Sequence, residues 1–195
     1  MGFFTADLHL GHENVIRHCN RPFKNADVMD DVLTENWDKR VCENDTVYIL
    51  GDLIFRTNHL PEDYLYRLKG HKHLIIGNHD YSWLKKLPSG ELLSTPATEA
   101  FESINHMKVI KQNRLIITLC HYPMMTWQAA GRGGLMVFGH IHNNTNAAYW
   151  PLIRASPHML NAGVDLNDFQ PVPLEKLMKN NSRFNAASAD HIFDL

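Results

Sequence analysis

Short apolar runs alternate along the chain with longer stretches of helical periodicity. Five runs, at residues 3–6, 46–50, 73–76, 115–120 and 135–138, are rich in β-branched and aromatic residues. Each is too short for a helix and is closed by glycine or a polar residue, which predicts a buried strand. Residues 158–164 form a sixth candidate. Residues 12–19 and 27–41 carry apolar side chains at helical spacing, with Asn25 or Asp27 as caps for the second. Residues 60–68 have Pro61 near the start and stop before Gly70, which also suits a helix. Residues 174–179 read as an amphipathic turn or two. Residues 107–119, with the polar run Lys111-Gln112-Asn113-Arg114 inside, predict a β-hairpin. The remainder, 180–195, is polar with little periodicity. The expectation is one domain over 1–179 and a loosely packed polar tail over 180–195. Strands alternating with helices predict an α/β fold, and the hairpin makes it partly antiparallel. Two packed mixed sheets flanked by helices fit this pattern.

The residues that close the strands carry the chemistry. The first run ends in Asp7-Leu8-His9, the second in Gly51-Asp52, and the third in Gly77-Asn78-His79-Asp80. The fourth ends in His121 and the fifth in Gly139-His140-Ile141-His142. Ligand crevices in α/β sheets lie beyond the carboxyl ends of the strands, so the pattern gathers these groups in one place. Imidazole, carboxylate and amide oxygen suit hard or borderline divalent metals. If the segments are extended, Asp7-x-His9 and His140-x-His142 each present two ligands on one side. The seven groups Asp7, His9, Asp52, Asn78, His121, His140 and His142 exceed the needs of one ion and suit two, with Asp52 as the bridge. Paired metals clamp the attacking and leaving oxygens of a phosphoryl displacement and activate hydroxide for attack.

Composition narrows the class. The chain has 195 residues, 44% of them hydrophobic, which suits a packed domain. A formal net charge of -2, with no basic stripe, gives no sign of an extended nucleic-acid surface. No apolar run reaches the roughly 20 residues of a membrane span, and the first residues do not read as a signal peptide. Three cysteines without a Cys-x-x-Cys pair make a poor disulfide framework, so a cytoplasmic setting is expected. Thirteen histidines are many for this length, and five of them follow the apolar runs.

Together, Asp7-x-His9, Gly51-Asp52, Gly77-Asn78-His79-Asp80, His121 and Gly139-His140-x-His142 resemble the five signature blocks of the calcineurin-like metallophosphoesterase superfamily. The blocks run from position 7 to 142. With Cys19-Asn20-Arg21-Pro22-Phe23, the first also resembles small single-domain bacterial and phage phosphoesterases. The resemblance implies a four-layer α/β/β/α sandwich of two mixed β-sheets. It implies one metal held by Asp7, His9, Asp52 and His142, and another held by Asp52, Asn78, His121 and His140. It also implies that His79 is not a ligand but protonates the leaving oxygen or steadies the phosphate. The ions expected are manganese or iron, with zinc or nickel as alternatives. The substrate expected is a phosphate ester, a phosphodiester of small or nucleotide type. Segment 51–56 lacks the acidic residue of the Asp-Arg pair found in protein phosphatases of this superfamily, which counts against that activity.

Outside the blocks, His12, Arg21 and Arg56 are candidate substrate contacts, because imidazole and guanidinium suit phosphate. Arg132, in Gly131-Arg132-Gly133-Gly134, is weighed against a plain turn, and Asp165 is read as structural. The alternatives are a phosphomonoesterase, protein phosphatase included, and a non-catalytic metal-binding scaffold. The scaffold predicts missing ligands, and all seven are present.

Overall fold

The computed structural model describes residues 1–188. In chain order the elements are β1 (Gly2–Thr5), α1 (Glu13–His18), α2 (Ala26–Asp38), β2 (Thr46–Ile49), α3 (Pro61–Leu65), β3 (His71–Ile75), α4 (Pro96–Glu99), β4 (Ser103–Asn105), β5 (Met107–Gln112), β6 (Leu115–Cys120), β7 (Leu135–Phe138), α5 (Trp150–Ala155), β8 (Met159–Asn161), β9 (Val172–Pro173) and α6 (Leu174–Ala187). One sheet has the order β4-β3-β2-β1-β9, parallel except for β9. The other has the order β5-β6-β7-β8, in which the β5–β6 hairpin is antiparallel and the rest is parallel.

Alternating side chains sort the layers, because successive strand residues point to opposite faces. Phe3, Val47, Ile49 and Leu74 pack with Met29, Leu33 and Trp37 of α2. Their neighbours Phe4, Leu50 and Ile75 turn the other way and meet Ile117, Leu119, Leu135 and Val137 of the second sheet. The far side of that sheet sends Met136 and Phe138 against Trp150 and Ile153 of α5. The result is helix, sheet, sheet, helix, the four-layer sandwich of two mixed sheets. Ala6 and Gly163 form a parallel bridge, so β1 and β8 end side by side. The carboxyl ends of both sheets therefore open together.

The first five predicted strands stand within two residues of the observed ones, and the sixth, 158–164, shortens to β8. The C-terminal segment differs. α6 runs to Ala187, and Asn180 and Asn181 are buried. Asn181 Oδ1 accepts from Asn161 N at 2.7 Å, and its Nδ2 donates to Asn161 O at 3.0 Å. Asn180 Nδ2 donates to Asn167 Oδ1 at 2.9 Å. Residues 180–187 are thus a packed helix with a polar inner face rather than a loose tail. Residues 189–195, His191 among them, lie outside the described residues.

Candidate metal centre

Backbone curvature after the strands brings the side chains together. Asp7, His9, Asp52, His140 and His142 all have positive φ, at 57°, 52°, 51°, 72° and 49°. Residues with a Cβ seldom occupy this left-handed region, at a cost of about 1–3 kcal/mol each, and such strain concentrates at functional sites. Asp7-x-His9 and His140-x-His142 therefore converge through tight left-handed turns, not along an extended segment. Close approach also fixes the glycines. A Cβ on Gly51, itself at φ +85°, would stand 2.5 Å from His121 Nδ1, and one on Gly77 would stand 2.3 Å from Asp52 Oδ1.

Two donor groups result. In one, Asp7, His9 and His142 have ligand atoms within 4.8 Å of one another; in the other, Asp52, His121 and His140 do. Asn78 joins the second, with Oδ1 3.1 Å from His121 Nε2. Asp52 stands between the two: its Oδ2 is 3.6 Å from His9 Nε2 and 3.5 Å from His121 Nε2. His79 Nε2 lies 3.9 Å from the same oxygen, with its side chain 35% exposed and so open to a substrate. The donors fit a metal. His9 Nε2 is buried without a hydrogen-bond partner, an arrangement that is costly unless something binds it. His121 Nδ1 lies 2.7 Å from Leu50 O, so donating there leaves Nε2 as a lone-pair donor.

Burial sets the protonation of the cluster. It holds His9 well below the usual imidazole range, helped by His142 and Arg21. Burial and then His121 bring His140 down to about 4. Neutral rings are the metal-binding form. Burial raises Asp52 to about 7, with His121 opposing and Asp7 adding. His142 goes the other way: burial disfavours its charge, but hydrogen bonds to Asp165 and Cys19 push it up to about 10. His79 is lowered, first by burial, while Asp80 opposes.

Asp80 is an anchor. Its carboxylate accepts from Asp52 N at 2.9 Å, Leu53 N at 2.9 Å, Gly77 N at 2.8 Å and Trp83 Nε1 at 3.2 Å. It fixes the two loops that carry Asp52 and Asn78.

The candidate substrate contacts separate. His12 sits at the site, with Nδ1 3.3 Å from His9 Nδ1, and burial followed by His79 and Arg56 lowers it to about 4. Arg56 is exposed, and its guanidinium lies 5.0 Å from the Phe55 ring centroid. That ring lies 4.0 Å from His79 and 4.8 Å from His12. Arg21 is a correction. Its side chain is buried, and its five N–H bonds are matched by Asp165 Oδ1, Asp165 Oδ2, Leu8 O, Asp7 O and Met29 Sδ. None is left for a phosphate, so Arg21 braces the site from behind. The loop at Arg132 is a turn closed on itself, with Arg132 N and Gly134 N both donating to Ala129 O at 2.9 Å.

Asp165, read from the sequence as structural, supports a ligand of the site. It follows a strand, as the ligands do, and its Oδ2 is 3.0 Å from His142 Nδ1. The pattern of a strand followed by a carboxylate was the available signal.

No family model matches this chain. The crystal structure of a protein of unknown function, AQ665 of Aquifex aeolicus, superposes with a TM-score of 0.67 at 27% identity, covering 92% of this chain and 98% of that one, so the fold is shared end to end. The Gene 66 protein of Mycobacterium phage D29 is 26% identical over 199 residues, 91% of this chain and 95% of its own. The uncharacterized protein MJ1445 of Methanocaldococcus jannaschii is 30% identical over 179 residues, 91% of this chain and 89% of its own. By that relationship the chain belongs to the family of MJ1445, and its two-sheet sandwich and five strand-end blocks resemble those of the calcineurin-like metallophosphoesterase superfamily.

Proposed function

We propose that this protein is a metal-dependent phosphohydrolase that cleaves a phosphodiester of small or nucleotide type. The observation that carries the reading is Asp52 Oδ2, set 3.6 Å and 3.5 Å from histidine nitrogens of the two donor groups. Asp7, His9, Asp52 and His142 would hold one divalent ion, and Asp52, Asn78, His121 and His140 the other. Manganese or iron is the native pair we favour, with zinc or nickel as alternatives. Such ions supply Lewis acidity to the phosphoryl oxygens and an activated water nucleophile. The chain's own residues do the rest. His79, half-buried and beside Asp52, delivers a proton to the leaving oxygen. His12 and Arg56 line the approach of the phosphate. With Arg21 withdrawn behind the site, that approach is poor in fixed cations, which suits a singly charged diester better than a doubly charged monoester. A scaffold that binds no metal would leave His9 Nε2, buried without a hydrogen-bond partner, and the five left-handed ligands without a purpose.

The test is metal analysis of the purified chain together with turnover of bis-p-nitrophenyl and p-nitrophenyl phosphate. Two divalent ions per chain and faster diester than monoester hydrolysis are expected. A chain with no metal affinity and no turnover of either ester would end this reading.

A further inference from the structure

Asp165 lies outside the five ligand blocks, just past β8, and its carboxylate is buried against His142. Arg21 grips it with two prongs, Nε–H to Oδ1 at 2.7 Å and Nη2–H to Oδ2 at 3.0 Å. The two side chains are 0% and 2% exposed. A buried pair of this kind fixes geometry, and removing one partner leaves the other charge without compensation. The same guanidinium donates to Asp7 O at 2.7 Å and Leu8 O at 2.9 Å. One side chain therefore joins the end of β1, which carries Asp7 and His9, to the carboxylate that holds His142.

We propose that Asp165 is the positioning residue of His142, accepting its Nδ1–H so that Nε2 faces Asp7 and His9, with Arg21 keeping all three in register. The inference rests on reading Asp7, His9 and His142 as a metal position. A ligating histidine that gives its second N–H to a carboxylate is fixed in tautomer and orientation and becomes a stronger donor. His142 needs such a partner, because it leaves its strand on a left-handed backbone at φ 49°. Cys19, His142 and Asp165 also bring ligand atoms within 4.8 Å of one another. A cation held there would face the Arg21 guanidinium, so the cluster supports a metal position rather than forming a third.

The test titrates the demetallated full chain with Mn²⁺, read by calorimetry and by electron paramagnetic resonance. The wild type is expected to take up two ions as a spin-coupled pair. Asp165→Ala should weaken one of the two positions by about 10–100-fold, the usual effect of losing such a carboxylate, and leave the other in place. At limiting Mn²⁺ the coupled signal should give way to that of a single ion. Asp165→Asn, whose amide oxygen can still accept Nδ1–H, should fall between the two. It also carries the test if Asp165→Ala does not fold. Equal weakening of both positions, or no weakening, in the folded variant would overturn the role of Asp165 while leaving the metal centre standing. A wild type that takes up no ion would overturn the metal reading and this proposal with it.

Discussion

The two halves of the centre are held in different ways. Asp7, His9 and His142 are secured by charged side chains from distant parts of the chain, Arg21 after α1 and Asp165 after β8. Asp52, Asn78 and His121 are secured by backbone. Leu50 O meets His121 Nδ1, and the buried Asp80 carboxylate gathers the amides of Asp52, Leu53 and Gly77. The first half relies on an ion pair that orients one ligand. The second relies on a loop-ordering anchor that orients the segments. Damage should therefore look different: a selective loss of one ion in the first case, and a loss of folded stability in the second.

The largest effect is expected where the halves meet. Asp52→Asn removes the charge between the two donor groups, so both ions and turnover should be lost together. Metal content and diester hydrolysis check this. Full occupancy and normal turnover in the variant would place the bridge elsewhere.

His79 belongs to neither half, and His79→Ala should separate chemistry from binding. Metal content should stay near normal, while turnover of substrates with alkoxide leaving groups falls about 10²–10⁴-fold, the usual worth of a positioned general acid. Loss on p-nitrophenyl esters should be much smaller, because that leaving group hardly needs a proton. Equal loss on both would make His79 a phosphate-positioning group, and a matching fall in metal content would make it a ligand.

Asp80→Ala sharpens the contrast with Asp165. It leaves three buried backbone N–H groups without their acceptor, at about 1–3 kcal/mol each. Thermal unfolding of the metal-free chain should show a clearly lowered Tm. Asp165→Ala should lower it less, while costing more selectivity between the two metal positions. The reverse ranking would remove the distinction between the halves.

The same contrast explains what the sequence disclosed. Ligands of both halves stand directly after β-branched runs, so hydrophobic periodicity and residue type point to them without tertiary information. Supporting groups carry a weaker mark. Arg21 looks like any phosphate-seeking arginine, and only its burial reveals that its donors are taken. Asp165 follows β8, but that strand is three residues long, and its apolar signal is broken by Asn161. Asn180 and Asn181 read as tail because buried amides and solvated amides have the same hydropathy; what buries them is a partner network on Asn161 and Asn167. The short elements β4, β9 and α4 have two to four residues, too few for any periodicity to register.

The smallest effect concerns a support of the first half and is read through pH. Asp30, buried in α2, accepts the Gly11 amide at 3.0 Å and 2.9 Å and the Tyr64 hydroxyl at 3.0 Å, tying down the loop just past His9. Burial raises its pKa to about 6, although both hydrogen bonds oppose the shift. An unfolded aspartate titrates near 3.9. Between those values the folded chain holds a proton that the unfolded chain has released. Stability from this group therefore falls as pH rises through the window, by up to about 1.4 kcal/mol per pH unit, and is flat above and below it. Asp30→Asn is neutral at every pH and lacks this slope. In metal-free protein, the Tm of the wild type should decline relative to that of Asp30→Asn between about pH 4 and 6, and the gap should level off above. A gap that does not change with pH would show that Asp30 is ionised throughout, with its two partners outweighing burial. The N-terminal ligand loop would then be held, like Asp165, by a permanent charge.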